Sequence, residues 1–366
     1  MGAVLNSKTI LGPHSLFLLG LVVITAYVPG FTGAAIPTGW LALCLLIPVL
    51  ILNVEFKFGY GFAFVCYAGL SLLWSNSLNI GLFAYTQILV LACVFLIGYN
   101  LKDLRPIFKG LGVGLGICSI VAIAQYFGFR GIFTLNDLVA SLFINPNIYS
   151  ELSALLLISF VVFKLWWFIP TALPGLILVH SRTALLALGL GMLVAIWRMN
   201  KKLAVITFAI VMAVSLYFYW GQFQTTSITE RFALWSDTIR GFTLFGHGVG
   251  SYETMFPYYA TEINTEISRP KFAHNDILNL IFEFGVGSIF ILMVLINVLN
   301  SKRKEAIITW SVMVVSIFTF PFHIPAAAFV ALIVAGFIVG NTDPNGGTWI
   351  NWRQPLFKWI ANKKFR

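Results

Sequence analysis

An all-α polytopic membrane protein of about twelve transmembrane helices is what this sequence predicts. Three observations carry the prediction. Of the 366 residues, 59% are hydrophobic and only 10% charged, with a mean hydropathy of +0.90, and no water-soluble domain keeps such a surface dissolved. Apolar runs of about 20 residues, the length that crosses a hydrocarbon core, recur from Leu16 to Gly340. The basic residues behind the net charge of +10 sit mainly in short loops between those runs. Placed there, they set topology rather than attract nucleic acid.

Taken in order, the runs between breaking residues give spans near 13–30, 37–52, 58–74, 80–98, 107–127, 148–165, 168–180, 183–197, 203–220, 276–298, 305–321 and 326–341. The chain then divides into nine helices over 1–221, one large outer loop at 222–273, three helices over 274–341 and a basic tail at 342–366. With the N-terminus cytoplasmic, alternate loops hold Lys57; Lys102, Arg105 and Lys109; Lys164; Arg198, Lys201 and Lys202; and Lys302, Arg303 and Lys304. The positive-inside rule is met at every turn, and both termini are expected in the cytoplasm. Only Lys8 precedes the first run and no cleavage pattern follows it, so residue 1 is expected to stay in the mature chain. The runs 168–180 and 183–197 are short, and one long kinked helix is the alternative; that alternative would put Arg198 to Lys202 outside, so the charge rule favours two helices meeting at Arg182. Cys44, Cys66, Cys93 and Cys118 fall in four different runs without ligand or redox spacing and read as packing residues.

On this topology the outer basic residues are Arg130, Arg182, Arg231, Arg240, Arg269 and Lys271, five arginines in six, whereas lysine dominates inside. Lysine suffices for topology; the planar arginine fork suits bidentate contact with phosphate. Ordinary pairing with outer acids such as Glu230, Asp237, Glu253, Glu262 and Glu266 is the alternative for any one of them. As a set they point to an anionic ligand outside.

The outer loop is the only hydrophilic segment long enough to hold structure of its own. Ser227-Ile228-Thr229-Glu230 has the form of a capping box, and Phe232, Trp235 and Ile239 share the face of a short amphipathic helix that Gly241 stops. Arg231 lies near the start of that helix, where the dipole prefers an acid, which weakly favours a functional arginine. In Gly246-His247-Gly248-Val249-Gly250-Ser251 the glycines serve either tight turns or a backbone nest for an anion, and His247 lies among them. Beyond it, Asn275, Asn279 and Glu283 are four apart and form a polar stripe on an apolar helix, available for interhelical hydrogen bonds or for a site. His274 stands at the mouth of that stripe, where an imidazole can take a proton from an attacking hydroxyl. His180, His247, His274 and His323 all map to the outer side, yet no pair has a local metal-ligand spacing, so no metal and no cofactor is expected.

These motifs resemble the O-antigen ligase and O-antigen polymerase superfamily of bacterial envelope proteins. The likeness rests on Asn145-Pro146-Asn147, on Ser181-Arg182-Thr183-Ala184, on Arg231 with Trp235 and on Gly246 to Ser251. It continues through His274-Asn275 with Leu278, Glu283 and Gly285, and ends at Phe320-Pro321-Phe322-His323-Ile324-Pro325. The resemblance implies a twelve-helix, lipid-dependent (GT-C-like) glycosyltransferase of the bacterial inner membrane with one large periplasmic loop. It implies a glycan donor on undecaprenyl pyrophosphate and a lipid A core or lipid-linked glycan acceptor, with neither nucleotide sugar nor metal. His274 maps to the essential histidine; Arg182 and Arg231 map to the arginines that engage pyrophosphate. Asn275 and Glu283 are expected to support the site, with Arg240, Arg269 and His247 as further candidates. Ligase and polymerase share these motifs, and no residue separates them.

Two other functions compete. A twelve-helix secondary transporter would place charges at the midplane of two repeated halves, whereas no repeat is seen and the polar residues cluster at the outer face. A cell-wall polymerase of the shape, elongation, division and sporulation type would place acids in the outer loop, where arginine and histidine stand instead. Trp166, Trp167, Trp220, Trp235, Tyr258 and Tyr259 read as interface anchors, and the tail from Trp349 to Arg366 as a basic segment on the cytoplasmic leaflet.

Overall fold

The computed structural model describes residues 12–25, 40, 43, 59–129, 139–143, 145–179, 181–199, 226–261 and 270–342. The expected spans at 37–52 and 203–220 therefore lie outside the described residues or nearly so, as do the tail, Cys44, Arg130, His180 and Arg269. The described residues hold no strand. Their helices are α1 (Pro13–Thr25), α2 (Tyr60–Leu70), α3 (Leu78–Asn100), α4 (Arg105–Tyr126), α5 (Pro146–Phe163), α6 (Ile169–Ile177) and α7 (Arg182–Met199). Further along the chain come α8 (Thr226–Arg240), the single turn α9 (Tyr252–Met255), α10 (Asp276–Phe284), α11 (Ser288–Leu299), α12 (Ala306–Phe318) and α13 (Pro325–Thr342). Among these residues Leu78–Asn100, Arg105–Tyr126, Pro146–Phe163 and Asp276–Leu299 are long and apolar enough to cross a membrane, and six shorter apolar helices accompany them.

Local chemistry explains the boundaries. Asn145 caps α5, its Oδ1 accepting from the Asn147 amide at 2.9 Å, with Pro146 in the first helical position. Helix breaks between Ile177 and Arg182, and the two halves, α6 and α7, both pack on α5, so two helices meet at Arg182 as the loop charges suggested. The run read as one span at 276–298 carries a 3-10 turn at Gly285–Gly287, where Gly285 adopts φ +50°. There the backbone crosses Leu244 so closely that a Cβ would meet its carbonyl.

The main core joins α1 with α4, α3 with α13, and α5 with α7 and α12. α5 is its axis: Tyr149, Leu152, Ala154, Leu155, Leu156 and Phe160 are fully buried. Since lipid tails are as apolar as leucine, helices gain mainly from close packing, and small residues supply it. Gly336 and Gly340 on α13, four apart, lie so near α3 that a Cβ on either would strike the carbonyls of Phe95 and Tyr99. A smaller cluster, Leu234, Tyr252, Phe256, Ala273 and Phe282, clamps the loop helix α8 onto α10.

Candidate functional site

α5, α7 and α10 begin at one end of the bundle, where α12 ends, and the segment after α12 ties them together. Thr319 Oγ1 donates to Glu151 Oε2 on α5 at 3.2 Å, and Arg231 Nη1 on α8 donates to Phe318 O at 2.9 Å. The Phe322 amide donates to Asp276 Oδ2 on α10 at 3.0 Å. α5, α8 and α10 are thus tied to the end of α12 and the turn after it by one side chain to side chain bond and two bonds between side chain and backbone.

His274 holds an unusual backbone, at φ +49°, one of three non-glycine residues in the left-handed region among those described. Such a conformation costs free energy and persists only where neighbours fix it. On its N-terminal side the Ala273 amide donates to Asn279 Oδ1 at 3.2 Å and Trp235 Nε1 donates to Ala273 O at 3.0 Å. On its C-terminal side Asn275 caps α10, Oδ1 accepting from the amides of Ile277 and Leu278 at 3.0 Å each. The imidazole is half-buried, edge-on to Phe320 with centroids 5.0 Å apart. Burial, and then the Arg231 charge, hold its pKa below the usual histidine value, so the neutral base prevails at neutral pH.

Arg231 is half-buried, and burial pulls its pKa down; the Glu151 carboxylate opposes this and the Arg182 guanidinium adds to it. Ionisable groups from α5 and α7 therefore act on Arg231 of α8, and Arg231 acts in turn on His274. Among the described residues neither Arg182, which is exposed, nor Arg231 has a carboxylate within ion-pair distance. Two guanidiniums converging without a bound counter-charge make a ready anion site.

The other candidates go elsewhere. Arg240 stands about two and a half turns from Arg231, hence on the opposite face of α8, and pairs with buried Asp237 at 3.2 Å. His247 packs between Tyr259 and Phe282, with Nε2 2.6 Å from Gly241 O. Glu283 is buried and accepts from the Gly250 amide at 3.1 Å and the Tyr252 amide at 3.3 Å. The glycine turn is not an anion nest. Its amides are spent inside the protein: Gly246 on Thr243 O, His247 on Phe282 O, Gly248 on Glu283 O, Val249 on Ser71 Oγ and Gly250 on Glu283. The loop helix also departs from expectation. It is already helical at Thr226, which puts Ser227 inside it, and Phe232 and Ile239 are exposed while Leu234, Asp237 and Thr238 face the protein.

Two acids were missed from sequence. Glu151 is 3% exposed, and its Oε1 has no partner although Oε2 is bonded. A carboxylate in the first turns of an apolar run was the available signal, because charge there is costly. Asp276 is buried with Oδ1 3.0 Å from His323 Nδ1, a partner 47 residues away that no local pattern shows.

The fold and site define a class: a multi-pass helical membrane protein with an arginine- and imidazole-lined site at one end of its bundle. The family model described as O-antigen ligase matches residues 168–293, a stretch that holds Arg182, Arg231, His274 and Glu283. No curated protein matches the chain. The family match supports the resemblance read from the motifs.

Proposed function

We propose that this protein moves an oligo- or polysaccharide from undecaprenyl pyrophosphate to a glycan acceptor at the outer face of the plasma membrane. One observation carries the reading: two guanidiniums without ion-pair partners among the described residues act on each other, and one of them, Arg231, acts on the imidazole of His274 held in a strained turn. In the transfer, the acceptor hydroxyl gives its proton to His274 while its oxygen bonds to the anomeric carbon. The bond from that carbon to the pyrophosphate oxygen breaks, and its electron pair leaves with the pyrophosphate. Arg182 and Arg231 take up the charge that gathers on the departing group, and holding donor and acceptor in line supplies the rest. Asn275 supports the site by fixing the turn that carries His274, and Glu283 by anchoring the loop that carries Arg231. No nucleophilic side chain is needed for a single inverting displacement, the outcome expected for this family.

The test is envelope glycan display in cells deleted for the protein and complemented with wild type, His274→Ala or Arg182→Ala at matched protein levels. The expected outcome is loss of display with either variant. Full display from both removes the proposed site. The residual glycan assigns the acceptor: single capped units mark a polymerase, unattached long chains a ligase.

A further inference from the structure

The catalytic reading leaves one pair unused. Asp276 is buried, with Oδ2 taken by the Phe322 amide at 3.0 Å and Oδ1 at 3.0 Å from His323 Nδ1. A carboxylate oxygen accepts this hydrogen bond, so in the neutral imidazole Nδ1 carries the proton and Nε2 presents its lone pair. His323 keeps 24% of its side chain exposed, and no hydrogen bond from Nε2 is seen among the described residues. The pair also stands at the site already described. His274 meets Phe320 at 5.0 Å, Phe320 meets Phe272 at 5.1 Å, and Phe272 lies 3.9 Å from His323, an unbroken run of ring contacts between the two imidazoles. The nearby acidic groups are Asp276 at the start of α10 and Glu283 about two turns further along the same helix. No cation is paired with His323 among the described residues, so its surroundings suit a neutral, polar ligand better than a second phosphate.

We infer that His323, oriented by Asp276, binds a hydroxyl of the acceptor sugar beside the Phe272 and Phe320 rings. This rests on the glycan-transfer reading above and adds the acceptor side to it. His323 Nε2 receives the hydroxyl hydrogen bond, and the aromatic rings offer an apolar face to the sugar ring. Asp276 is a positioning residue: without its carboxylate the imidazole loses the fixed tautomer and presents Nε2–H.

The experiment uses the purified full-length protein, lipid-linked glycan extracted from deletion cells as donor, and a titration of the glycolipid fraction of the same cells as acceptor. His323→Ala and Asp276→Asn should each raise the acceptor KM about tenfold or more, with kcat and donor KM changed by less than about threefold. His323→Gln, whose amide oxygen can accept the same bond, should restore part of the loss. A pair that only holds the fold would lower the thermal midpoint and leave the acceptor KM alone, and that result overturns the inference. If Asp276→Asn does not accumulate, His323→Ala decides alone, since it leaves the Asp276 to Phe322 bond intact. An active wild type with unchanged acceptor KM in His323→Ala overturns this subsite alone; an inactive wild type overturns the glycan-transfer reading and the subsite with it.

Discussion

Arg231 spends one guanidinium nitrogen on the Phe318 carbonyl, and the rest of its fork has no hydrogen-bond partner among the described residues. A lysine there would retain the charge but could not hold the carbonyl and a phosphate together. Arg231→Lys is therefore expected to transfer glycan at least about tenfold more slowly than wild type at equal protein level, a barrier increase of roughly 1.4 kcal/mol. A rate near wild type would show that charge alone suffices. The His274 imidazole gives a pH prediction. Because burial and the Arg231 charge hold its pKa below the usual value of about 6.5, the neutral base survives as pH falls through that value and is lost only lower. The acid limb of kcat/KM in the purified system should thus have its midpoint below pH 6.5, and should vanish from the residual rate of His274→Ala. A midpoint above it would mean that another group titrates. Arg182 and His274 stand out in the sequence as polar residues where the apolar pattern stops, and Arg231 as a cation near the start of a helix, where the dipole prefers an acid. Glu151 was passed over because a single acid in an otherwise apolar helix looks like part of the span until Thr319 and Arg231 are seen around it.

Secondary elements place these residues, and here the sequence pattern and the packing differ most. The stripe Asn275, Asn279 and Glu283 does lie on one buried face of α10, as its spacing required, but each member holds backbone: the helix cap, the turn before His274 and the glycine turn, respectively. Gly246 combines φ +72° with a backbone approach in which a Cβ would meet the Glu283 carbonyl. Gly246→Ala should therefore detach the loop from α10, costing roughly 1–3 kcal/mol for the strained φ alone. Limited proteolysis should cut the Phe242–Tyr259 region of the variant faster than that of wild type. Equal cutting would show that the turn relaxes without loss. The amphipathic pattern of α8 was legible, yet which face is inward was not. Leu234 and Thr238 win the interior because they meet Tyr252, Phe256 and Phe282, partners contributed by the loop and by α10.

The whole molecule converts this site into a sided one. If α5, α7 and α10 begin outside, as the loop charges require, the site end and the loop face the exterior while Lys302 lies in the cytoplasm. In a cysteine-free background, Tyr258→Cys should react with a membrane-impermeant thiol reagent in cells with a permeabilised outer membrane, and Lys302→Cys should not. The reverse pattern would invert the topology and place the proposed chemistry on the wrong side. A transporter gains nothing from this architecture, since the charged groups gather at one end of the bundle rather than at its middle. The sequence by itself determined the solvent of the chain, its helical class and the break at Arg182, because lipid forces backbone into helices and makes every polar interruption conspicuous. Only the tertiary structure decided that the glycine turn is filled by its own hydrogen bonds and that Arg240 and His247 serve the loop. It alone brought Glu151, Asp276, Thr319 and His323 together, because those groups sit on α5, α10 and the turn after α12. Their meeting depends on packing between distant segments, which no local spacing records.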